Sequence, residues 1–324
     1  MALFPEQVGL LNTAPPTVFL AGPPGTGKSV VLLLMAMEWL RRGSDTRIVS
    51  TCRESRAACS MLRHLLQQTV TSLPSDPLPP GQVHLLQYDF QTEDIVKRAV
   101  DELVQAAGAG PLHVIIDEAG PDDRYDHFQL FCKELLTRVP SLHLWAASCY
   151  HGHAPADWPV EYLTRPLRFP PAVARQVEQD TDMKVSRRVR TYSRRSVPDV
   201  TDGPPVTVRL HKGQGHSMHE PASNCERCGQ DLADFLSTLG VGGGEAAPLT
   251  LRFRDVLVVG THNVHNMSGL VTGLRKSRVP VKVFTDSDTD DLATGRSDVI
   301  WVAHGKPRPR PGTKNRRLSR QHTR

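Results

Sequence analysis

Long apolar runs are scarce in this chain. The most apolar stretch, Val30-Val31-Leu32-Leu33-Leu34-Met35-Ala36-Met37, has eight residues, far short of the roughly 20 that a bilayer-crossing helix needs. Nothing resembles a signal peptide, so the expected setting is intracellular, cytoplasmic or nuclear, with no membrane partner. Cysteine is sparse as well. There are six, scattered, and only Cys225 and Cys228 form a close pair, which excludes a disulfide framework and fits a reducing compartment. Aromatic residues make up 6% of the chain and are not interleaved with its arginine clusters, so no base-stacking platform is legible. Acidic residues are missing from 305–324, a stretch with eight Lys and Arg; without those eight, the whole-chain charge of +5 becomes −3 for residues 1–304. That end is rich in Pro and Gly and has no apolar period, so a disordered basic tail is expected over 305–324. It reads either as a nucleic-acid or import segment or as a solvated end without a role.

What is present is concentrated near the start. Gly22-Pro23-Pro24-Gly25-Thr26-Gly27-Lys28-Ser29 fits the P-loop pattern. The apolar run Thr17–Ala21 precedes it and a helix-period run from Val30 to Leu40 follows. In that strand–loop–helix setting, backbone N–H groups cradle phosphate oxygens. Lys28 reaches the β- and γ-phosphates, and the Ser29 hydroxyl ligates Mg²⁺. Val114-Ile115-Ile116-Asp117-Glu118 is a buried strand ending in two acids. This is a Walker B arrangement, with Asp117 holding Mg²⁺ through water and Glu118 orienting or deprotonating the attacking water. ATP and Mg²⁺ are therefore the expected cofactors.

The spacing predicts strands at Thr17–Ala21, Arg47–Thr51, Val83–Tyr88, Leu112–Ile116 and Leu142–Ala147. Helices are predicted at Lys28–Arg42, Arg56–Gln68, Thr92–Ala106 and Tyr125–Thr137. Strands alternating with helices mean an α/β fold, a mainly parallel sheet covered on both faces. After a Pro- and Arg-containing linker at 181–205, a shorter α/β alternation is expected. Its strands are Val206–Leu210, Asp255–Gly260, Val281–Phe284 and Asp298–Val302, and its helices Asp231–Leu239 and Ser268–Lys276.

Asp117-Glu118-Ala119-Gly120 resembles the D-E-A-x box of superfamily 1 and 2 helicases, and further segments resemble superfamily 1. Leu3-Phe4-Pro5-Glu6-Gln7 is similar to its Q motif, which implies that Gln7 reads the adenine edge. Thr51 with Ala57, Ala58 and Met61 is similar to motif Ia, which contacts single-stranded nucleic acid. Leu163–Arg168 resembles motif IV, which implies that Arg168 reaches the γ-phosphate. Asp255–Val259, Gly273-Leu274 and Val279–Val281 resemble the second motor domain's strand–helix–strand, and Asp298–His304 the opening of motif V. The resemblance implies a RecA-like ATPase domain over 1–180 and a smaller, incomplete RecA-like domain over 206–304. ATP would lie in the cleft between them, with hydrolysis coupled to gripping single-stranded DNA or RNA.

Two departures stand out. Leu142–Ala147 runs into Ser148-Cys149-Tyr150-His151, without motif III's Gly-Asp and Gln, which leaves Ser148 as the candidate γ-phosphate sensor. After His304 the chain lacks the rest of motif V and the arginine of motif VI. Weak hydrolysis is expected in consequence. Two alternatives stay open: an AAA-type ATPase, whose lid would be helical, and a non-hydrolysing nucleotide switch. Cys225 and Cys228 with His211, His216 and His219 offer zinc-type donors, but the spacing matches no standard finger; the other reading has the cysteines packing at a helix start. Asp286, Asp288, Asp290 and Asp291 read as a solvated loop.

Overall fold

A computed structural model of the chain describes residues 3–53, 55–71, 80–120, 125–167, 170–179, 189–193, 202–208, 221–242, 251–260, 264–285 and 288–304. The chain divides into two compact units, Met1–Val208 and Arg209–Arg324.

The first unit is built on a parallel sheet. Strands β1 (Thr17–Ala21), β2 (Thr46–Ser50), β3 (Val83–Gln87), β4 (Leu112–Ile116), β5 (Leu142–Ser148) and β6 (Val160–Tyr162) lie in the order β3-β2-β4-β5-β1-β6. Every pairing is parallel. Among the described residues six α-helices accompany them: α1 (Pro5–Thr13), α2 (Lys28–Arg41), α3 (Arg56–Thr71), α4 (Glu93–Ala107), α5 (Tyr125–Arg138) and α6 (Pro171–Glu178). The central strands are buried on both sides, which is why they read as continuous apolar runs. Phe19, Val114, Ile116 and Leu144 pack against Val100 and Leu103 of α4 and Phe128 and Phe131 of α5. Their neighbours Val18, Leu20, Ile115 and Trp145 face the other way, onto Leu32, Met35 and Trp39 of α2 and Leu62 and Leu66 of α3.

Helix α2 stops at a Schellman turn. The Gly43 N–H donates to Leu40 O and the Ser44 N–H to Trp39 O, with Gly43 at φ 79°. Observed ends of the predicted strands and helices in this unit differ from expectation by a few residues at most. Three elements were not expected: α1, β6 and α6. Segments 189–193 and 202–205, read from sequence as linker, are tied to this unit. The Ser193 N–H donates to Thr164 O at 3.1 Å, and Arg175 pairs with Asp202.

At the amino ends of β4 and β5, His113 and His143 are register partners. Their rings stack at 4.7 Å, and Trp39 closes on His113 at 4.9 Å. Burial, then the neighbouring His143 and Arg47, push the His113 imidazole down from 6.5 to about 4; burial also lowers His143. A base held below its unfolded value keeps the fold fully stable above about pH 6.5 and weakens it as pH falls toward 4. About 2 kcal/mol of stability is therefore expected to disappear between pH 7.5 and pH 5 through His113. Urea melts of wild type and His113→Phe at both pH values check this. Equal pH dependence in the two proteins would refute it.

In the second unit β7 (Leu257–Gly260), β8 (Val281–Val283) and β9 (Ile300–His304) form a parallel sheet in the order β7-β9-β8. Helices α7 (Glu226–Thr238) and α8 (Gly269–Lys276) pack on one face through Ala233, Leu236, Val271 and Leu274, over Ile300 and Val302; a short α9 (Thr289–Thr294) precedes β9. The expected strand Val206–Leu210 is a correction: Val206–Val208 are exposed coil outside both sheets. Pro204-Pro205 lack the N–H donors that a strand at that point would use to pair. Residues 209–220 lie outside the described residues, as do 305–324. No helix among the described residues is long and apolar enough to cross a membrane.

Candidate functional site

The glycine loop joins β1 to α2 at the carboxyl edge of the sheet. Gly27 caps α2 at φ 90°, so the helix N-terminus opens directly onto the loop. Gly22 has φ +153°, and a Cβ there would meet Leu163 O at 1.9 Å. The chain leaving β6 crosses tightly at this point, with the Leu163 N–H on Ala21 O at 2.9 Å. Gly22→Ala is expected to cost about 2–4 kcal/mol, because backbone rather than a flexible side chain must give way. Thermal melting of the variant measures this, and an unchanged Tm would contradict the packing.

Lys28 is buried. Its ammonium donates to Gly22 O at 2.8 Å and Pro23 O at 3.1 Å and lies 3.6 Å from Cys149 Sγ. The Thr26 hydroxyl donates to Pro23 O at 2.9 Å. The Leu167 N–H donates to Gly25 O at 2.8 Å, and the Tyr192 hydroxyl to Pro24 O at 2.7 Å. A cavity of about 350 Å³, lined by Arg175, Gln179, Val189, Arg190 and Tyr192, adjoins the loop through that tyrosine.

The acidic pair follows β4, which is separated from β1 by β5 alone. Loop and acids thus belong to one sheet. Asp117 is buried. Burial raises its carboxyl above the usual range, opposed by a hydrogen bond from Ser29, the Lys28 charge and the Glu118 N–H. The exposed Ser29 and the buried Asp117 are thus neighbours, although 88 positions apart in the chain. Glu118 is exposed and sits at φ +51°. Its N–H donates to Asp117 Oδ1 at 3.1 Å.

Other expected residues are placed differently. Gln7 is buried beneath the loop: its Oε1 accepts from the Phe4 N–H at 2.9 Å, and its Nε2 donates to Thr26 O at 3.0 Å. It braces α1 against the glycine turn. Thr51 is fully buried and its hydroxyl accepts from the Gly120 N–H at 3.1 Å, so that group serves the acidic turn. Cys149, not Ser148, stands beside Lys28; burial, then Glu118, push its thiol up to about 11, which leaves it neutral. Nothing in the sequence singles out Cys149, because its approach to Lys28 depends on β5 lying beside β1. Arg168 lies outside the described residues.

Cys225 caps α7, and Cys228 lies in its first turn against it. His211, His216 and His219 lie outside the described residues, among which no group of three or more His, Cys, Asp or Glu could hold a metal ion. Asp288 caps the Thr285 N–H at 3.0 Å, and Asp291 accepts from the Ser297 hydroxyl at 2.7 Å; Asp286 is outside the described residues. Compared with known protein families and with curated proteins, the chain finds no match in either.

Proposed function

We propose that the first unit is a RecA-like P-loop ATPase that binds ATP with Mg²⁺ and couples its hydrolysis to single-stranded nucleic acid, in the manner of superfamily 1 helicases. The observation that carries the reading is the closeness of Ser29 and Lys28, on the glycine loop and the start of α2, to the buried Asp117. Two hard oxygen donors meeting at the mouth of a glycine loop suit Mg²⁺. Bound there, the ion would neutralise charge on the phosphate oxygens.

Each residue then has a task. Gly25, Thr26 and Gly27 offer backbone N–H groups to phosphate oxygens. Gly22, Pro23 and Pro24 shape the loop, and Lys28 exchanges its two loop carbonyls for the β- and γ-phosphates. Glu118, exposed above the buried Asp117, takes a proton from the attacking water. Arg168 is assigned the γ-phosphate and Gln7 the adenine side only by resemblance. An AAA-type reading calls for a helical lid after the first domain; the parallel sheet of the second unit argues against it.

Calorimetry with ATP, in the presence and absence of Mg²⁺, tests the reading, followed by ATPase assays with and without single-stranded DNA and RNA. Metal-dependent uptake and strand-stimulated turnover are expected. Absence of ATP uptake would overturn it.

A further inference from the structure

Glu118 occupies the left-handed region although it carries a side chain. Such a residue costs about 1–3 kcal/mol and persists only where its surroundings over-determine it. Those surroundings are specific. Just after Glu118, the Ala119 N–H donates to Ala147 O at 2.7 Å. The Gly120 N–H donates to Thr51 Oγ1 at 3.1 Å, from the end of β2. On the β5 side, His153 Nδ1 lies 3.0 Å from Ala119 O. A carbonyl only accepts, so Nδ1 carries the proton. The same nitrogen lies 3.3 Å from Ser148 Oγ, which also accepts the Tyr150 N–H at 3.1 Å. His153 is buried on the short 3₁₀ turn His151–His153, with Tyr150 against its ring at 5.1 Å. A Cβ on Gly120 would come within 3.3 Å of His153 Nδ1, so the turn and the imidazole are fitted to each other.

We propose that His153 and Thr51 are positioning residues for Glu118. They clamp the turn that carries it from the two strands flanking β4, and so hold its carboxylate over the phosphate site. This rests on the ATPase reading above. With either clamp released, residue 118 relaxes toward negative φ, a rotation that swings the carboxylate away from the water it must meet. The arrangement also answers the departure noted in sequence: the stretch after β5 lacks the usual Gly-Asp and Gln, and its contact with the acidic turn is made by His153.

The test uses the full chain and ATP·Mg²⁺. His153→Phe keeps a ring without a donor, and Thr51→Val keeps the shape without the acceptor. Each is expected to lower kcat by about tenfold to a hundredfold, with the Kd for ATP·Mg²⁺ within about twofold of wild type. His153→Asn places an amide N–H at the Nδ1 position and is expected to restore kcat to within about threefold of wild type. Unchanged kcat in His153→Phe and Thr51→Val overturns the inference. So does a joint fall in kcat and ATP affinity that His153→Asn does not repair. Should His153→Phe fail to fold, Thr51→Val and His153→Asn decide by the same criteria. A wild-type chain that binds ATP without any turnover instead sinks the ATPase reading, and this inference with it.

Discussion

Glu118→Gln is expected to cut ATP turnover by about 10²–10⁴ while ATP·Mg²⁺ stays bound. The substitution is close to isosteric. It leaves the backbone N–H to Asp117 Oδ1 and the neighbouring Ser29–Asp117 contact in place. What it removes is the capacity to take a proton. Binding relies on the loop N–H groups, Lys28 and the Ser29–Asp117 pair, none of which Glu118 supplies, so affinity should hold or rise as the hydrolysed state becomes unreachable. Steady-state turnover and retention of labelled ATP on the protein, measured together, give the answer. A chain that uses ATP only as an occupancy signal would show the same low turnover before and after the change, and that outcome would remove Glu118 from any chemical role.

How much of this was legible in the sequence depends on the range of each interaction. The glycine loop, β1 and α2 are contiguous, and local pattern sufficed: Gly27 opens the helix and the Val30–Leu40 period fills one face with Val31, Leu32, Met35 and Trp39. The acidic pair was equally plain, because Leu112–Ile116 is apolar at most positions and the acids begin where the strand ends. Strand order was not legible. That β5 stands between β1 and β4 is what carries Cys149 to Lys28, 121 positions away. The place of β2 on the other side of β4 brings its end near enough for Thr51 to hold Gly120. Composition and period contain no such information. The short β6 escaped for another reason: Val160-Glu161-Tyr162 is a three-residue edge strand, half exposed, and shows no apolar run. Helix α1 begins with Pro5 in its first turn, a usual helix-start signal, but its first residues were read as a nucleotide-contact motif instead of an element. The positive φ of Glu118 had no signal at all, since left-handed positions usually announce themselves as Gly or Asn.

Lys28→Ala is expected to weaken ATP·Mg²⁺ binding by about 10³-fold, in line with roughly 4 kcal/mol for one charge pair at close range in a partly screened site. Without ligand, the ammonium is held by Gly22 O and Pro23 O, near the Asp117 carboxylate. Two losses follow from removing it. The phosphates lose their cation, and Asp117 loses a positive neighbour that opposes the upward push of burial. The Asp117 carboxyl must then stand higher in Lys28→Ala than in wild type, and a protonated carboxyl cannot support Mg²⁺. Falling pH should accordingly weaken Mg²⁺-dependent ATP binding earlier in the variant, at a higher pH than in wild type. Lys28→Arg keeps the charge but replaces a compact ammonium with a planar fork that cannot enter the same pair of carbonyls. It should leave Asp117 near its wild-type behaviour while still binding ATP poorly. Calorimetric titrations of the three proteins at several pH values separate the two losses. Wild-type affinity in Lys28→Ala would mean that the triphosphate does not lie in the glycine loop.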